Sequence, residues 1–123
     1  MSNNDVAVLG VGMHAWGKWA TRSSSTASPR PAPRSPTRSR LKDVDLIVGG
    51  ETVRNGYGGY VAGATFAQAL GWNGARVATS YAACATGAQA LDTARARILA
   101  GLSDVALVVG ADTTPRASWL PRR

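Results

Sequence analysis

The chain has a single cysteine, Cys84, and a single histidine, His14, in 123 residues. One cysteine excludes an internal disulfide, and no His, Cys, Asp and Glu cluster has the spacing of metal ligands. A run of about 18 apolar residues and a signal-type apolar stretch near the start are also lacking. We therefore expect a cytoplasmic protein with no bound metal and no membrane contact.

Acidic residues are absent from residues 18–42, which hold seven of the fourteen basic residues. The rest of the chain holds seven basic and seven acidic residues, so the net charge of +7 originates in this segment. Residues 20–40 also contain four prolines and many serines. Because proline and serine oppose helix formation, this composition predicts a disordered Arg/Ser/Pro segment.

Apolar, β-branched runs elsewhere predict four strands, at residues 5–9, 41–51, 76–81 and 104–112. Helical spacing predicts a helix before Gly71 and another that ends at Gly101. The predicted inner side of the second helix consists of Ala88, Leu91, Ala94, Ile98 and Leu102. Strands that alternate with helices indicate one α/β domain with a mixed or parallel sheet and helices on both faces.

This alternation requires a helix between the first two strands, where residues 20–40 stand, and three explanations compete. The segment is a basic arm that binds nucleic acid through phosphates, although it lacks aromatic residues that stack on bases. Alternatively, it is a solvated linker, which is unusual inside a compact domain. The third explanation, which we prefer, is a frameshift, because a shifted register can encode an alanine-rich amphipathic helix here. Residues 116–123 are a basic, irregular tail that fits a second shift.

Cys84 lies in the stretch SYAACATGAQAL, residues 80–91, between a predicted strand and a predicted helix. A cysteine attacks as thiolate, and a helix N-terminus lowers the thiol pKa from its usual value of about 8.5. The surrounding small residues permit a tight turn and leave room for a substrate carbonyl. Free cysteine is also among the most buried residue types, so these residues alone leave both a nucleophile and a packing residue open.

The run SYAACATGAQALDTARARILAGLSDVALVVGAD resembles the nucleophile region of the thiolase superfamily. There a strand leads to Cys-Ala-Ser/Thr-Gly, a helix, and Gly-x-x-Asp-Val-Ala-Leu-x-x-Gly. DVAVLGVGMHAWGKW and VDLIVGGETVRNGYGGYVAGATFAQALGW resemble the lipid-transfer protein branch, which is related to sterol carrier protein-type thiolases and acetyl-CoA acetyltransferases. The resemblance covers residues 5–18 and 41–115 and implies that residues 1–123 form a partial, N-terminal thiolase half-domain.

The resemblance implies that Cys84 accepts an acyl group from a coenzyme A thioester, which is a substrate and not a bound cofactor. It assigns Ala83 and Gly87 supporting roles in the turn. His14 matches no catalytic histidine of the superfamily and is predicted to be a turn residue. In thiolases the basic histidine, a second cysteine and the oxyanion-hole groups come largely from a second half-domain. We therefore expect a truncated acyltransferase that is weakly active or inactive.

The expected partners are an acyl-CoA substrate and either a second copy of the chain or a second thiolase half. A small partner protein is a further expectation, because some relatives use one for carbon–carbon bond cleavage. Two other functions stay open: a non-catalytic fragment of a lipid-transfer or thiolase-like protein, and a basic nucleic-acid-binding protein that uses residues 20–40. The acyl group, and the choice between Claisen and retro-aldol chemistry, are not predicted.

Overall fold

Three short parallel strands form the centre of the fold. The computed structural model describes residues 5–13, 41–52 and 57–112. The strands are β1 (Leu46–Gly50), β2 (Arg76–Ser80) and β3 (Ala106–Gly110), in the order β2-β1-β3. Each pairing is parallel, and Gly50 is the register partner of both Ser80 and Gly110. The carboxyl ends of the strands therefore lie along one edge of the sheet.

Helices connect consecutive strands. They are α1 (Tyr57–Tyr60), α2 (Ala62–Ala69) and α3 (Thr86–Leu99), with 3-10 turns at Leu41–Asp43 and Ala83–Ala85. Gly71 and Gly101 follow α2 and α3 with φ values of 76° and 68°. Because the left-handed region suits glycine, both residues end their helices as the sequence predicts.

The two longer helices cover opposite faces of the sheet. Successive side chains of a strand point to opposite faces, so the fully buried run of β1 contributes to two cores. The two buried clusters are Leu46 and Val48 with Ala90 and Ala94 on the α3 face, and Ile47 with Ala67 and Ala75 on the other. The predicted α/β architecture with a parallel sheet and helices on both faces is confirmed.

Helix α2 packs closely against the sheet at two glycine residues, one in the helix and one in β1. A Cβ atom added to Gly49 would lie 2.6 Å from Cα of Gly63, and one added to Gly63 would overlap the carbonyl oxygen of Ala78. The Gly63 N–H donates a hydrogen bond to Oγ1 of Thr79 at 3.1 Å. Helix and sheet are therefore in backbone contact, which any side chain at Gly63 would disrupt.

The predicted first strand, residues 5–9, is wrong. These residues have no strand assignment, and Val8 and Leu9 are 77% and 50% exposed. A strand needs a hydrogen-bonding partner, and residues 5–9 pair with neither of the outer strands, β2 and β3. An apolar, β-branched composition therefore does not by itself give residues 5–9 a place in the sheet.

The predicted inner side of α3 is also largely wrong. The buried residues of α3 are Thr86, Ala90 and Ala94, whereas Leu91 is 57% exposed and Ala88 is exposed. The helix side chains that pack against Leu46 and Val48 of the sheet are the small ones of Ala90 and Ala94. The larger apolar residues consequently do not mark the face that packs.

Three predictions lie outside the described residues: the disordered segment at 20–40, the tail at 116–123 and the turn at His14. In the ranges that the structure describes, none of the helices has the length and apolar character needed to cross a bilayer.

Candidate functional site

Cys84 lies between the carboxyl end of β2 and the start of α3. It is the middle residue of the 3-10 turn Ala83–Ala85, and α3 begins two residues later, at Thr86. Its side chain is exposed. The predicted position in a strand-to-helix turn is confirmed, and the alternative of a buried packing residue is wrong. An exposed thiol at such a turn can reach a substrate in solution.

Ala83, one of the two predicted supporting residues, has an unusual backbone conformation. Its φ is 48°, and it is the one non-glycine residue with positive φ in the described part of the chain. A left-handed conformation costs an L-residue about 1–2 kcal/mol. Ala83 therefore directs the chain into the turn at an energetic cost that neighbouring contacts must offset.

The side chain of Thr86 connects the two sides of this turn. Its hydroxyl oxygen accepts a hydrogen bond from the Ala82 N–H at 3.0 Å, and the hydroxyl donates to the Ala83 carbonyl oxygen at 2.6 Å. Thr86 is 3% exposed. Sequence reasoning assigned it no role, although its position at the start of the helix, two residues after the cysteine, was a signal of hydrogen bonding to the turn.

Gly50, at the end of β1, makes room for Thr86. A Cβ atom at Gly50 would overlap Cγ2 of Thr86 and lie 3.1 Å from the carbonyl oxygen of Ser80. The start of α3 therefore lies directly against the end of the central strand. Sequence reasoning also missed this contact, for which the Gly-Gly pair at the end of an apolar run was the available signal.

Gly87, the second predicted supporting residue, is the second residue of α3 and is exposed. Its φ is not in the left-handed region, and a Cβ atom there would meet no atom within 4 Å. The geometry of the turn therefore makes no demand for glycine here, and a role in substrate approach stays a prediction.

The N-terminus of α3 is directed toward the Cys84 turn without a side-chain cap. Ala85 is the capping residue, and no side chain accepts a hydrogen bond from the first turn there. The first N–H groups of a helix lack partners within it and carry partial positive charge. A developing negative charge near Cys84 would be stabilised by these groups.

Two acidic residues follow the neighbouring strands at the same edge of the sheet. Glu51 follows β1, and Asp112 lies two residues beyond β3. Partial burial, and secondarily the negative charge of Asp112, raise the pKa of Glu51 above its usual value of 4.5. The next residue, Thr52, donates its hydroxyl to the Ala83 carbonyl oxygen at 3.3 Å, which connects this edge of β1 to the turn.

Polar groups at the opposite, amino edge of the sheet have structural partners. The carboxylate of Asp45 accepts hydrogen bonds from the N–H groups of Asp104 and Val105, at 2.8 and 3.1 Å. The Asn73 amide donates to the carbonyl oxygens of Leu41 and Val44. Over the described ranges, no three His, Cys, Asp or Glu side chains lie together as a metal site would require. The candidate site is therefore the Cys84 turn.

One comparison with known proteins gives a match, and it covers nearly the whole chain. The family model described as "Beta-ketoacyl synthase, N-terminal domain" matches residues 3–120. The matched range contains all three strands and the Cys84 turn. Neither the comparison with curated proteins nor that with solved structures gives a match.

Proposed function

Because the chain belongs to the β-ketoacyl synthase N-terminal domain family, which is thiolase-like and comprises acyl-transferring and condensing enzymes, we propose that Cys84 is its acyl-accepting nucleophile. The acyl donor in this proposal is a coenzyme A thioester, bound as a substrate. The family membership supports the class of reaction, and the sequence around Cys84 supports the choice of residue.

The observation that carries this proposal is the exposed thiol of Cys84 beside the uncapped N-terminus of α3. Small residues surround the thiol on the chain: Ala82, Ala83, Ala85, Gly87 and Ala88. Ligands of open α/β sheets bind at the carboxyl ends of the strands, and Cys84 lies at that edge. Residues 82–88, which flank the sulfur along the chain, include no large side chain that would hinder the approach of a thioester carbonyl.

The proposed reaction is one acyl transfer. The Cys84 thiol loses its proton, and the thiolate attacks the carbonyl carbon of the thioester, forming a tetrahedral intermediate. The bond between that carbon and the coenzyme A sulfur then breaks. The leaving thiolate takes up a proton, so the products are the acyl-enzyme thioester and free coenzyme A. The helix N–H groups would stabilise the oxyanion of the intermediate.

A second candidate, a non-catalytic copy of the fold, is favoured by the composition of the site. No histidine occurs among the described residues, and the chain's one histidine is His14. General-base catalysis contributes about 100- to 10,000-fold to such reactions. We therefore propose that this chain alone is acylated slowly, and that fast acylation requires a base from a second thiolase-like half.

The finer assignment is a lipid-transfer protein-like branch of the superfamily. The resemblance of residues 5–18 and 41–115, given above, supports it. From this assignment we also propose that the chain forms a homodimer, binds a small partner protein and is located in the cytoplasm. Acyl transfer to Cys84 is a step of Claisen condensation and of its reverse, whereas a retro-aldol cleavage would not acylate the cysteine.

The proposed function is tested by intact-protein mass spectrometry after incubation with acetyl-CoA. The expected result is a mass increase of one acetyl group, released by hydroxylamine, with free coenzyme A formed in equal amount. Because Cys84 is the chain's one cysteine, a thioester adduct can form at no other residue.

The matched control is Cys84→Ser, which keeps the size of the side chain and replaces the thiol by a weaker nucleophile. No hydroxylamine-sensitive adduct is expected on this variant. If the wild-type chain forms no adduct under conditions where it is folded by circular dichroism, the proposal of an acyl-accepting Cys84 fails and the non-catalytic candidate is supported.

A further inference from the structure

We infer that Thr86 is a positioning residue for Cys84: its side chain holds the turn that presents the thiol, beyond any contribution to stability. The inference rests on the proposed function for its biological meaning. Its physical content concerns the conformation of Ala82–Ala85 and is testable without a substrate.

The first step is the placement of the Thr86 hydroxyl across the turn. It accepts from the N–H of Ala82 and donates to the carbonyl oxygen of Ala83, at 3.0 and 2.6 Å. These two residues immediately precede Cys84 in the chain. One buried hydroxyl therefore fixes both an N–H and a carbonyl of the segment that leads into the nucleophile.

The second step is the strain at Ala83, whose φ is 48°. Its carbonyl oxygen accepts three hydrogen bonds, from the Thr86 N–H, the Thr86 hydroxyl and the Thr52 hydroxyl. A strained conformation persists only where its surroundings hold it. Thr86 supplies two of the three donors and is therefore the main constraint on the turn.

The third step is the anchoring of Thr86 itself. Its methyl group occupies the space beside Gly50 that a side chain would otherwise fill, and the residue is 3% exposed. The hydroxyl is thus held in a fixed place relative to the central strand. A residue that can move with the loop could not impose a conformation on it.

The experiment measures the rate of Cys84 alkylation by iodoacetamide at a temperature where each variant is folded. Thr86→Val keeps the shape of the side chain and removes the hydroxyl. We expect about two- to fivefold slower alkylation, because Ala82 and Ala83 lose the hydroxyl that holds the turn and the thiol then shifts relative to the helix N-terminus. Thr86→Ser retains the hydroxyl and is expected to restore the wild-type rate.

Ser80→Ala is the matched control. Ser80 is a buried residue on the same face of the sheet, and its hydroxyl has no hydrogen-bond partner among the described residues. The substitution removes a buried hydroxyl near the turn but breaks no hydrogen bond to the turn. We expect Ser80→Ala to be alkylated at the wild-type rate. A slower rate would show that any buried substitution in this region disturbs Cys84, and it would overturn the specific role of Thr86.

A double-mutant cycle separates positioning from stability. Ala83→Gly removes the cost of the left-handed conformation, so the hydroxyl is needed less in that background and Thr86→Val should slow alkylation less. The double variant also keeps the test available if Thr86→Val alone does not fold. Equal effects in both backgrounds, or wild-type alkylation by a destabilised Thr86→Val, would overturn the inference.

The two proposals fail in distinguishable ways. Absence of acetylation in the wild type, with slower alkylation of Thr86→Val, contradicts the proposed function and leaves the positioning role standing. Normal acetylation and alkylation rates in Thr86→Val contradict the positioning role and leave the function standing.

Discussion

Replacement of Gly50 by alanine should destabilise the fold and disturb the candidate site together. A Cβ atom at this position overlaps Cγ2 of Thr86 and comes within 3.1 Å of the Ser80 carbonyl oxygen. Thr86 cannot turn away freely, because its hydroxyl is hydrogen-bonded to the Ala82 N–H and to the Ala83 carbonyl oxygen. Either α3 moves away from β1 or the turn changes its conformation.

The magnitude is obtained by comparison with Gly110→Ala. Gly110 is the register partner of Gly50 on β3, and the nearest atom to its added Cβ is 3.9 Å away. Both substitutions reduce the entropy of the unfolded chain, which contributes about 0.4–1 kcal/mol of stability at a compatible site. This gain cancels in the comparison. The difference between the two variants is then the overlap at Gly50, about 1–3 kcal/mol for an overpacked core.

Urea denaturation followed by circular dichroism gives the free energies of unfolding of both variants and the wild type. We expect Gly110→Ala at or above wild-type stability and Gly50→Ala below it. The rate of Cys84 alkylation in the folded state is measured in parallel and should change for Gly50→Ala alone. Equal stabilities for the two variants would refute the argument that Thr86 packs against the end of β1.

Four further predictions follow from single features. Gly63→Ala should lower the free energy of unfolding by more than Gly50→Ala in the same assay, because the overlapping atom is a backbone carbonyl oxygen of β2, which cannot rotate away. Gly87→Ala should raise the free energy of unfolding by about 0.5–1 kcal/mol in the same assay, since Gly87 is helical and an added Cβ would meet no other atom. If this variant is acetylated more slowly although it is no less stable, the result would support a role of Gly87 in substrate approach. Glu51→Gln should raise the free energy of unfolding at pH 7 and leave it unchanged well below pH 4.5. The reason is that the raised pKa of Glu51 makes the ionised carboxylate less favourable in the folded than in the unfolded chain, a cost that the neutral amide avoids. Urea denaturation at a series of pH values measures the difference between variant and wild type, and a gain in stability that persists at low pH would contradict the prediction. Sequencing the coding DNA for residues 20–40 should show that a compensating pair of insertions or deletions restores an alanine-rich amphipathic helix, and the frameshift hypothesis is excluded if no such pair restores it.

The strands and helices that the sequence predicts correctly have a strong local signal. The run LIVGG of β1 is buried throughout, so its continuous apolar composition matches its environment. Gly71 and Gly101 end their helices for a local reason, the left-handed backbone. The position of Cys84 at the strand-to-helix turn is predictable, because the strand before it and the helix after it each have a clear sequence signal.

The predictions that fail depend on tertiary contacts. Residues 5–9 have the composition of a strand, yet pairing partners decide whether a strand forms. Leu91 is apolar and exposed, because the face of α3 that packs against β1 is the one that carries Ala90 and Ala94. The importance of Thr86 and Gly50 comes from their contact with one another across 36 residues of sequence. The Gly-Gly pair and the position of Thr86 are local signals, and neither of them identifies the other residue as its partner.

The strained alanine before Cys84 connects the packing of the fold to the chemistry of the site. A glycine at position 83 would adopt φ of 48° at little cost, whereas alanine carries about 1–2 kcal/mol of strain there. Thr86, whose hydrogen bonds offset this strain, packs with its methyl group against Gly50. The turn that presents the thiol is therefore coupled to the docking of α3 on the central strand, so a change that loosens this contact should reduce the reactivity of Cys84 before the sheet itself unfolds.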